Sequence, residues 1–247
     1  MPDPVPDDAG ITDGAHPFEP HSGSITGRLN WLRAGVLGAN DGIISTAGLV
    51  IGVAAATADR TEIATAGVAG LVAGAVSMAL GEYVSVSSQR DTERALIERE
   101  RHELTTDPEA EFAELVGLLR ARGLDEASAA ATARQLTKRD ALKAHLSIEL
   151  GIDEEELANP WIAAGSSALA FAAGAVAPLV SILLLPATAR IPVTFMAVLV
   201  ALLATGWSSA YLGDAPKRSA IVRLVVGGAI AMAVTFGIGY LFGVATG

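Results

Sequence analysis

A carboxylate inside an apolar segment is the first candidate for chemistry in this chain. Asp41 lies in "GANDGIISTAGLVIG" (38–52), within a run over 29–57 that is otherwise almost wholly apolar or small. A charge at the centre of a membrane costs about 2.5–3.5 kcal/mol or more, so such groups usually face a cavity or a partner. The position of Asp41 therefore predicts a site that binds a cation or a proton. The alternative is a structural role, the capping of a broken helix beside Asn40.

Further polar side chains lie in the next apolar stretch. Met78, Glu82 and Ser85 share one helical face because they stand at i, i+4 and i+7. At 1.5 Å per residue, Asp41 lies ~12 Å, Glu82 ~10 Å and Met78 ~16 Å below the boundary where charged residues begin. Antiparallel neighbours would bring two carboxylates and a thioether to similar depth. Such carboxylates bind divalent cations, the sulfur favours Fe²⁺ or later metals, and protons compete for the same oxygens.

Two neighbours of Asp41 extend this candidate pathway. Asn40 and Ser45 are close enough in sequence to orient Asp41 or to complete its coordination. We expect "STAG" (45–48) to loosen the helix, as Ser, Thr and Gly often do near ion sites in membranes. For Met78, a plain packing role remains the alternative.

The elements that must position these residues are membrane helices. The chain has 247 residues, of which 51% are hydrophobic and 18% charged, so it is more apolar and less charged than an average soluble domain. Crossing a bilayer takes about 20 mostly apolar residues. Five stretches meet this requirement, at 30–57, 62–88, 160–185, 191–213 and 220–245. The sequence predicts an all-α membrane protein with five transmembrane helices, and the absence of cysteine excludes disulfides and thiolate metal sites.

Basic residues indicate the orientation. Fifteen of the 17 Lys and Arg fall on one side of the predicted membrane, and only Arg60 and Arg190 fall on the other. Because cytoplasmic loops collect Lys and Arg, we place the N-terminus and the linker on the cytoplasmic side. The predicted units are a disordered cytosolic tail (1–27), the first two transmembrane helices (28–88), a cytoplasmic acidic metal-binding domain (89–157) and transmembrane helices three to five (158–247).

The linker, residues 89–157, has the pattern of three soluble helices. The first continues out of the second span, the second begins at Pro108 and ends at Gly123, and the third runs from an Asp125 cap to Gly151. This segment holds 17 of the 27 acids. We expect it to pack on itself or on a copy of itself.

Two pairs of linker glutamates stand three residues apart, Glu100 with Glu103 and Glu111 with Glu114. Each pair projects from one helical face, as do the inward glutamates of di-metal bundles, and His102 and His145 offer nitrogen ligands in the same domain. The alternative is a solvated face held by ion pairs at i,i+3 and i,i+4. That alternative predicts the ion pairs Glu98–Arg101 and Arg99–Glu103.

Four motifs in this order resemble the vacuolar iron transporter family. They are "NDGIISTAGLVIGV" (40–53), "MALGEYVSVSSQRDTE" (78–93), "AHLSIELGID" (144–153) and "NPW" (159–161), and the resemblance covers roughly 28–245. It implies a five-span homodimer that moves Fe²⁺, in several members also Mn²⁺, out of the cytosol in exchange for protons.

The resemblance also implies site residues. It places a transport site at Asp41 and Met78, between the first two helices of both subunits, with Glu82 nearby. It assigns metal binding in the linker to the glutamates Glu100, Glu103, Glu111, Glu114 and Glu149. Where plant-type members carry two adjacent methionines, this chain has His145 and Leu146. An imidazole suits Fe²⁺, Mn²⁺ or Zn²⁺, so it could replace the sulfur ligands.

We therefore predict a transporter and not an enzyme. Its substrates are Fe²⁺, Mn²⁺ or, with the same donors, Zn²⁺ or Co²⁺, and no prosthetic group is expected. Its predicted partners are these ions, protons, the lipid bilayer and a second copy of the chain, without nucleic acid. A bacterial plasma membrane is the expected location, or a vacuolar membrane in a eukaryote.

Two other function classes remain open. A membrane-anchored di-iron oxidase or iron store is disfavoured because the linker lacks the Glu-x-x-His pairs typical of such bundles. A metal-responsive membrane scaffold without flux is the third hypothesis.

Overall fold

The computed structural model describes residues 25–213 and 216–246, and these residues form helices without any β-strand. The α-helices are α1 (Ile25–Ala56), α2 (Arg60–Thr106), α3 (Pro108–Ala121), α4 (Glu126–His145), α5 (Pro160–Leu184), α6 (Arg190–Leu212) and α7 (Lys217–Thr246). A π-helix, Leu146–Leu150, follows α4, and a 3₁₀ turn, Glu154–Glu156, precedes α5. Of the predicted tail (1–27), residues 1–24 lie outside the described part, and 25–27 begin α1.

Within the described residues, five helices are long and apolar enough to cross a membrane, namely α1, α2, α5, α6 and α7. This finding confirms the five predicted spans. Helix α2 has 47 residues, far more than the roughly 20 that a bilayer requires. Only its part over 62–88 is continuously apolar, and its last third extends past this part as the first helix of the linker.

Side-chain caps begin two of the helices, and the cap at Asp125 stands where the sequence predicted it. Asp125 accepts hydrogen bonds from the backbone N–H groups of the first turn of α4, at 3.0 Å from Ala127 N. Asn159 caps α5 in the same way, with Pro160 at the first helical position. Such caps satisfy the N–H groups that a helix leaves without internal partners.

Helix α1 lies at the centre of the bundle and packs chiefly against α5 and α7. Its contact with α5 depends on two glycines. A Cβ atom at Gly42 would lie 2.0 Å from the carbonyl oxygen of Phe171, and one at Gly174 would lie 2.2 Å from that of Ala39. The two backbones therefore touch, which is how small residues drive helix association in lipid.

The outer face of α2 is apolar and uncovered in the single chain. Five large side chains on it stand four residues apart and are each at least half exposed: Val68, Val72, Val76, Leu80 and Val84. Such a stripe requires lipid or a protein surface against it.

Two expectations of local structure are wrong. The helix does not unwind at "STAG", because α1 is continuous from Ile25 to Ala56. The third linker helix is not a single α-helix either. Asp140 has extended backbone (φ −166°, ψ 100°), and its carboxylate accepts from the N–H of Lys143, so a new helical turn starts there. The segment ends at Gly151 as predicted, in the left-handed conformation (φ 65°) that glycine adopts readily.

Candidate metal-binding sites

A cleft of about 190 Å³ opens between α1, α2 and α5, and we call it the membrane cleft. Its lining combines oxygen atoms and one sulfur with apolar walls: Asp41, Ser45, Thr46, Leu49, Gly70, Gly74, Ser77, Met78 and Phe171. A Cβ at Gly74 would lie 2.1 Å from the ring of Phe171. The missing side chain at Gly74 therefore lets the ring of Phe171 pack directly against α2 at the wall of the cleft.

The structure brings Asp41 and Met78 together in this cleft, as their similar predicted depth suggested. Asp41 is exposed in the single chain, and its carboxylate has no ion pair or hydrogen bond among the side chains described. Ser45 donates its hydroxyl to the backbone carbonyl of Asp41 and not to the carboxylate. The carboxylate is thus free to accept a cation or a proton.

Two other predicted pathway residues do not line the cleft. Asn40 is buried, and its Oδ1 has no hydrogen-bond partner in the described structure. Glu82 is half buried one turn along α2 from Met78. Sequence reasoning missed Thr46 and Phe171, which do line the cleft. Thr46 lies within the quoted "STAG" motif, whereas no sequence signal marks Phe171 on the distant α5.

Three linker carboxylates converge on one imidazole nitrogen, and we call these four side chains the linker cluster. Nδ1 of His145 lies 3.0 Å from Oε1 of Glu100, 3.5 Å from Oε2 of Glu149 and 3.6 Å from Oε2 of Glu111. Glu100, Glu111 and His145 are all buried, and each can offer one ligand atom within 4.8 Å of the others. Oxygen and imidazole donors at this spacing suit a first-row divalent cation.

Three separate elements build the linker cluster. Glu100 comes from the projecting end of α2, Glu111 from the first turn of α3, and His145 and Glu149 from the junction of α4 with the π-helix. Arg122 donates to the carbonyl of Ile148 and so fastens the π-helix to the end of α3. Single π-turns inside helical segments are rare and frequent at functional sites.

The electrostatics of the cluster favour a bound cation. Glu100 is outside the apolar part of α2, because it lies twelve residues, or ~18 Å along the helix, beyond the end of that part. Burial, reinforced by the nearby Glu149 carboxylate, raises the pKa of Glu100 to about 7. Burial also raises the pKa of Glu111. Oε1 of Glu100 is buried without a hydrogen bond in the described structure, and its contact with His145 lacks hydrogen-bond geometry. Buried carboxylates with so few donors need protons or a metal ion.

Two of the predicted linker ligands stay outside the cluster. Glu103 is 40% exposed and pairs with Arg99 at 3.1 Å, and Glu114 is exposed. The predicted ion pair Glu98–Arg101 is also present, at 2.6 Å. Each Glu-x-x-Glu pair therefore has its first member in the cluster and its second toward solvent. The metal-site and solvated-face interpretations each describe half of the pattern.

The fold and these two sites define a helical membrane protein with oxygen-rich sites suited to divalent cations. The VIT family model matches residues 32–240. A vacuolar iron transporter of Acanthamoeba castellanii is 41% identical over 225 residues, which is 88% of this chain and 81% of the relative. Vacuolar iron transporter homolog 1 of Oryza sativa subsp. japonica is 39% identical over 97% of this chain and 85% of its own length. Vacuolar iron transporter homolog 2 of Arabidopsis thaliana is 40% identical over 87% of this chain and 86% of its own length. The chain belongs to the VIT family, as the sequence motifs predicted.

Proposed function

We propose that this protein carries Fe²⁺, and also Mn²⁺, across the membrane in exchange for protons, away from the side that bears the linker. Relatives named as iron transporters support metal transport. The observation that carries the proposal is the free carboxylate of Asp41, which shares with Met78 a cleft between membrane-spanning helices. A carboxylate in apolar surroundings binds either a metal ion or a proton, and this competition is the physical minimum for exchange.

The two sites have separate roles in this proposal. The linker cluster of Glu100, Glu111, His145 and Glu149 captures the ion, and the membrane cleft passes it. Glu82 relays the ion, since it stands between the linker and Met78 on the same helix. Zn²⁺ and Co²⁺ accept the same donors, so both belong to the candidate substrates. No enzymatic step and no prosthetic group is part of the proposal.

A homodimer completes the proposed transport site. The uncovered apolar stripe of α2 and the exposed Asp41 lie on the helices that the family resemblance places at the subunit interface. A second copy against this face would enclose the cleft and exclude lipid from the carboxylate. We propose a plasma membrane location in a bacterium, with the N-terminus and linker in the cytoplasm, where the excess of Lys and Arg belongs.

Metal flux into proteoliposomes under an imposed pH gradient tests this function. We expect Fe²⁺ or Mn²⁺ to move only when protons can move the other way, and dissipation of the gradient by an ionophore to stop net accumulation. Metal binding without any flux would contradict the proposal and favour the scaffold. Oxygen consumption on addition of Fe²⁺ would instead favour the di-iron oxidase.

A further inference from the structure

A second pocket, of about 460 Å³, lies where the linker returns to the membrane bundle. One wall is α2, with Arg90 and Arg94. The opposite wall is the segment around Glu154 and Leu157, just before α5. None of these residues belongs to the membrane cleft or the linker cluster, so the transport proposal does not explain the pocket.

Two aromatic side chains indicate that one end of the pocket is close to the membrane surface. The rings of Tyr83 and Trp161 meet with centroids 4.6 Å apart, and Trp161 is 73% exposed. Aromatic side chains of this kind mark the edge of the hydrocarbon layer. Arg90 is seven residues beyond Tyr83, which places it on the same face of α2 and ~10 Å farther out. A headgroup layer is about 5–8 Å thick, so the backbone of Arg90 lies just outside it, and the long side chain of Arg90 can extend back to the phosphates.

The acids of the pocket already have basic partners among other residues. Arg101 contacts Glu98 at 2.6 Å and Glu154 at 3.3 Å. Lys143 contacts Glu155 at 3.5 Å. These contacts hold all three glutamates that line the pocket.

The two arginines of the pocket are left without partners. Neither Arg90 nor Arg94 has an ion pair or a hydrogen bond among the described side chains. Nε of Arg90 is itself buried and has no hydrogen-bond partner there. A guanidinium offers a planar set of N–H donors that matches a phosphate group, and a buried donor without an acceptor is unfavourable. The pocket therefore has unused donors for an anion.

We propose that this pocket binds the phosphate of an anionic phospholipid headgroup, with Arg90 and Arg94 as the donors. A free phosphate ion would offer the same oxygens, but two features favour the lipid. The end of the pocket at Arg90 lies beside the headgroup layer, and Leu157, three residues before α5 begins, gives that end an apolar wall for the glycerol of a lipid. A lipid bound there contacts both α2 and the returning segment, so it ties the linker to the membrane surface.

Lipid binding to the full-length protein tests this site. The protein in phosphatidylcholine nanodiscs or mixed micelles is titrated with phosphatidylglycerol, and in a parallel arm with inorganic phosphate, while its thermal unfolding is followed. The test variant is Arg90→Gln with Arg94→Gln. The matched control is Arg218→Gln with Arg223→Gln, which removes two exposed charges at the same end of the bundle, outside the pocket.

We expect phosphatidylglycerol to stabilise the parent and the control pair, and its apparent affinity to fall roughly tenfold in the Arg90/Arg94 pair. Inorganic phosphate at the same concentration should leave the unfolding temperature unchanged. Stabilisation by inorganic phosphate alone would replace the lipid by a soluble anion. Equal losses in both double variants would mean general surface attraction, and no response of the parent would mean no site. Each of these three results overturns the proposal.

Discussion

The membrane cleft and the linker cluster use similar donors in opposite arrangements. The cleft presents one unpaired carboxylate and one thioether, and Asp41 is exposed in the single chain. The linker cluster has three carboxylates within 3.6 Å of one imidazole nitrogen, and its core is buried. More and better-enclosed donors bind a divalent ion more tightly. A capture site benefits from retention and a passage site from release, so the difference matches the proposed division of roles.

The largest effect is expected at Asp41. Asp41→Asn keeps the shape of the side chain but removes the only charge lining the cleft, so metal flux in proteoliposomes should fall to background. Metal binding measured by calorimetry should remain, because the linker cluster is untouched. The control is Asp91→Asn, which neutralises an exposed acid on α2 outside the cleft and should transport normally. Undiminished flux in Asp41→Asn would remove the cleft from the pathway.

The next effect separates the two halves of the Glu-x-x-Glu pattern. Glu100→Gln with Glu111→Gln removes two buried charges. Each lost charged ligand reduces the binding free energy by about 1–3 kcal/mol, so we expect the metal affinity measured by calorimetry to fall at least ~30-fold. The matched pair is Glu103→Gln with Glu114→Gln, three residues along the same two helices.

Because Glu103 and Glu114 are partly or fully exposed, the matched pair should change the affinity less than ~3-fold. Equal losses in the two pairs would show that all four glutamates bind, as the family resemblance implies. No loss in either pair would exclude the linker cluster as a metal site.

A smaller effect concerns pH and the metal-free protein. The pKa of Glu100 is about 7 in the folded chain against an ordinary value of 4.5. A group whose pKa is higher in the folded than in the unfolded state stabilises the fold. This contribution is fully present below the pKa of the unfolded state and is lost as the pH rises through the pKa of the folded state. The protein freed of metal by a chelator should therefore unfold at a lower temperature at pH 8 than at pH 5.

Circular dichroism melts of the parent and Glu100→Gln measure this contribution. The variant cannot ionise, so its unfolding temperature should exceed that of the parent at pH 8 by roughly 2–6 °C and approach it at pH 5. Added metal should stabilise the parent at pH 8 but the variant much less. A temperature difference that is the same at both pH values would show that ionisation of Glu100 is not its cause.

Local signals were sufficient for much of the fold and for part of the sites. Apolar length predicted five spans, and Asp125 and Pro108 marked helix starts, because capping depends on residues within one turn. The rise per residue placed Asp41, Met78 and Glu82 at similar depth, and of these Asp41 and Met78 line the cleft whereas Glu82 does not. These predictions needed only geometry along one or two helices.

The sequence did not predict which side of a helix packs inward or where the backbone departs from a regular α-helix. Spacing puts Glu100 and Glu103 on one helical face, but only the packing of α2 against α3 and α4 decides which of them is buried. The π-helix after His145 leaves no pattern in the sequence except its terminal glycine, Gly151. Asn40 adjoins Asp41 in sequence, yet the helical turn directs it into the bundle and away from the cleft.

The smallest expected effect tests whether the single sulfur donor gives the cleft its preference among metals. Met78→Leu conserves volume and removes the thioether, so transport should persist while the ratio of Fe²⁺ to Mn²⁺ flux falls by roughly threefold, because Mn²⁺ depends least on soft ligands. Met196→Leu, on the exposed surface of α6, is the matched control and should leave the ratio unchanged. If His145→Gln changes the ratio of Fe²⁺ to Mn²⁺ flux and Met78→Leu does not, the linker cluster determines selectivity, and the cleft conducts whichever ion the linker delivers.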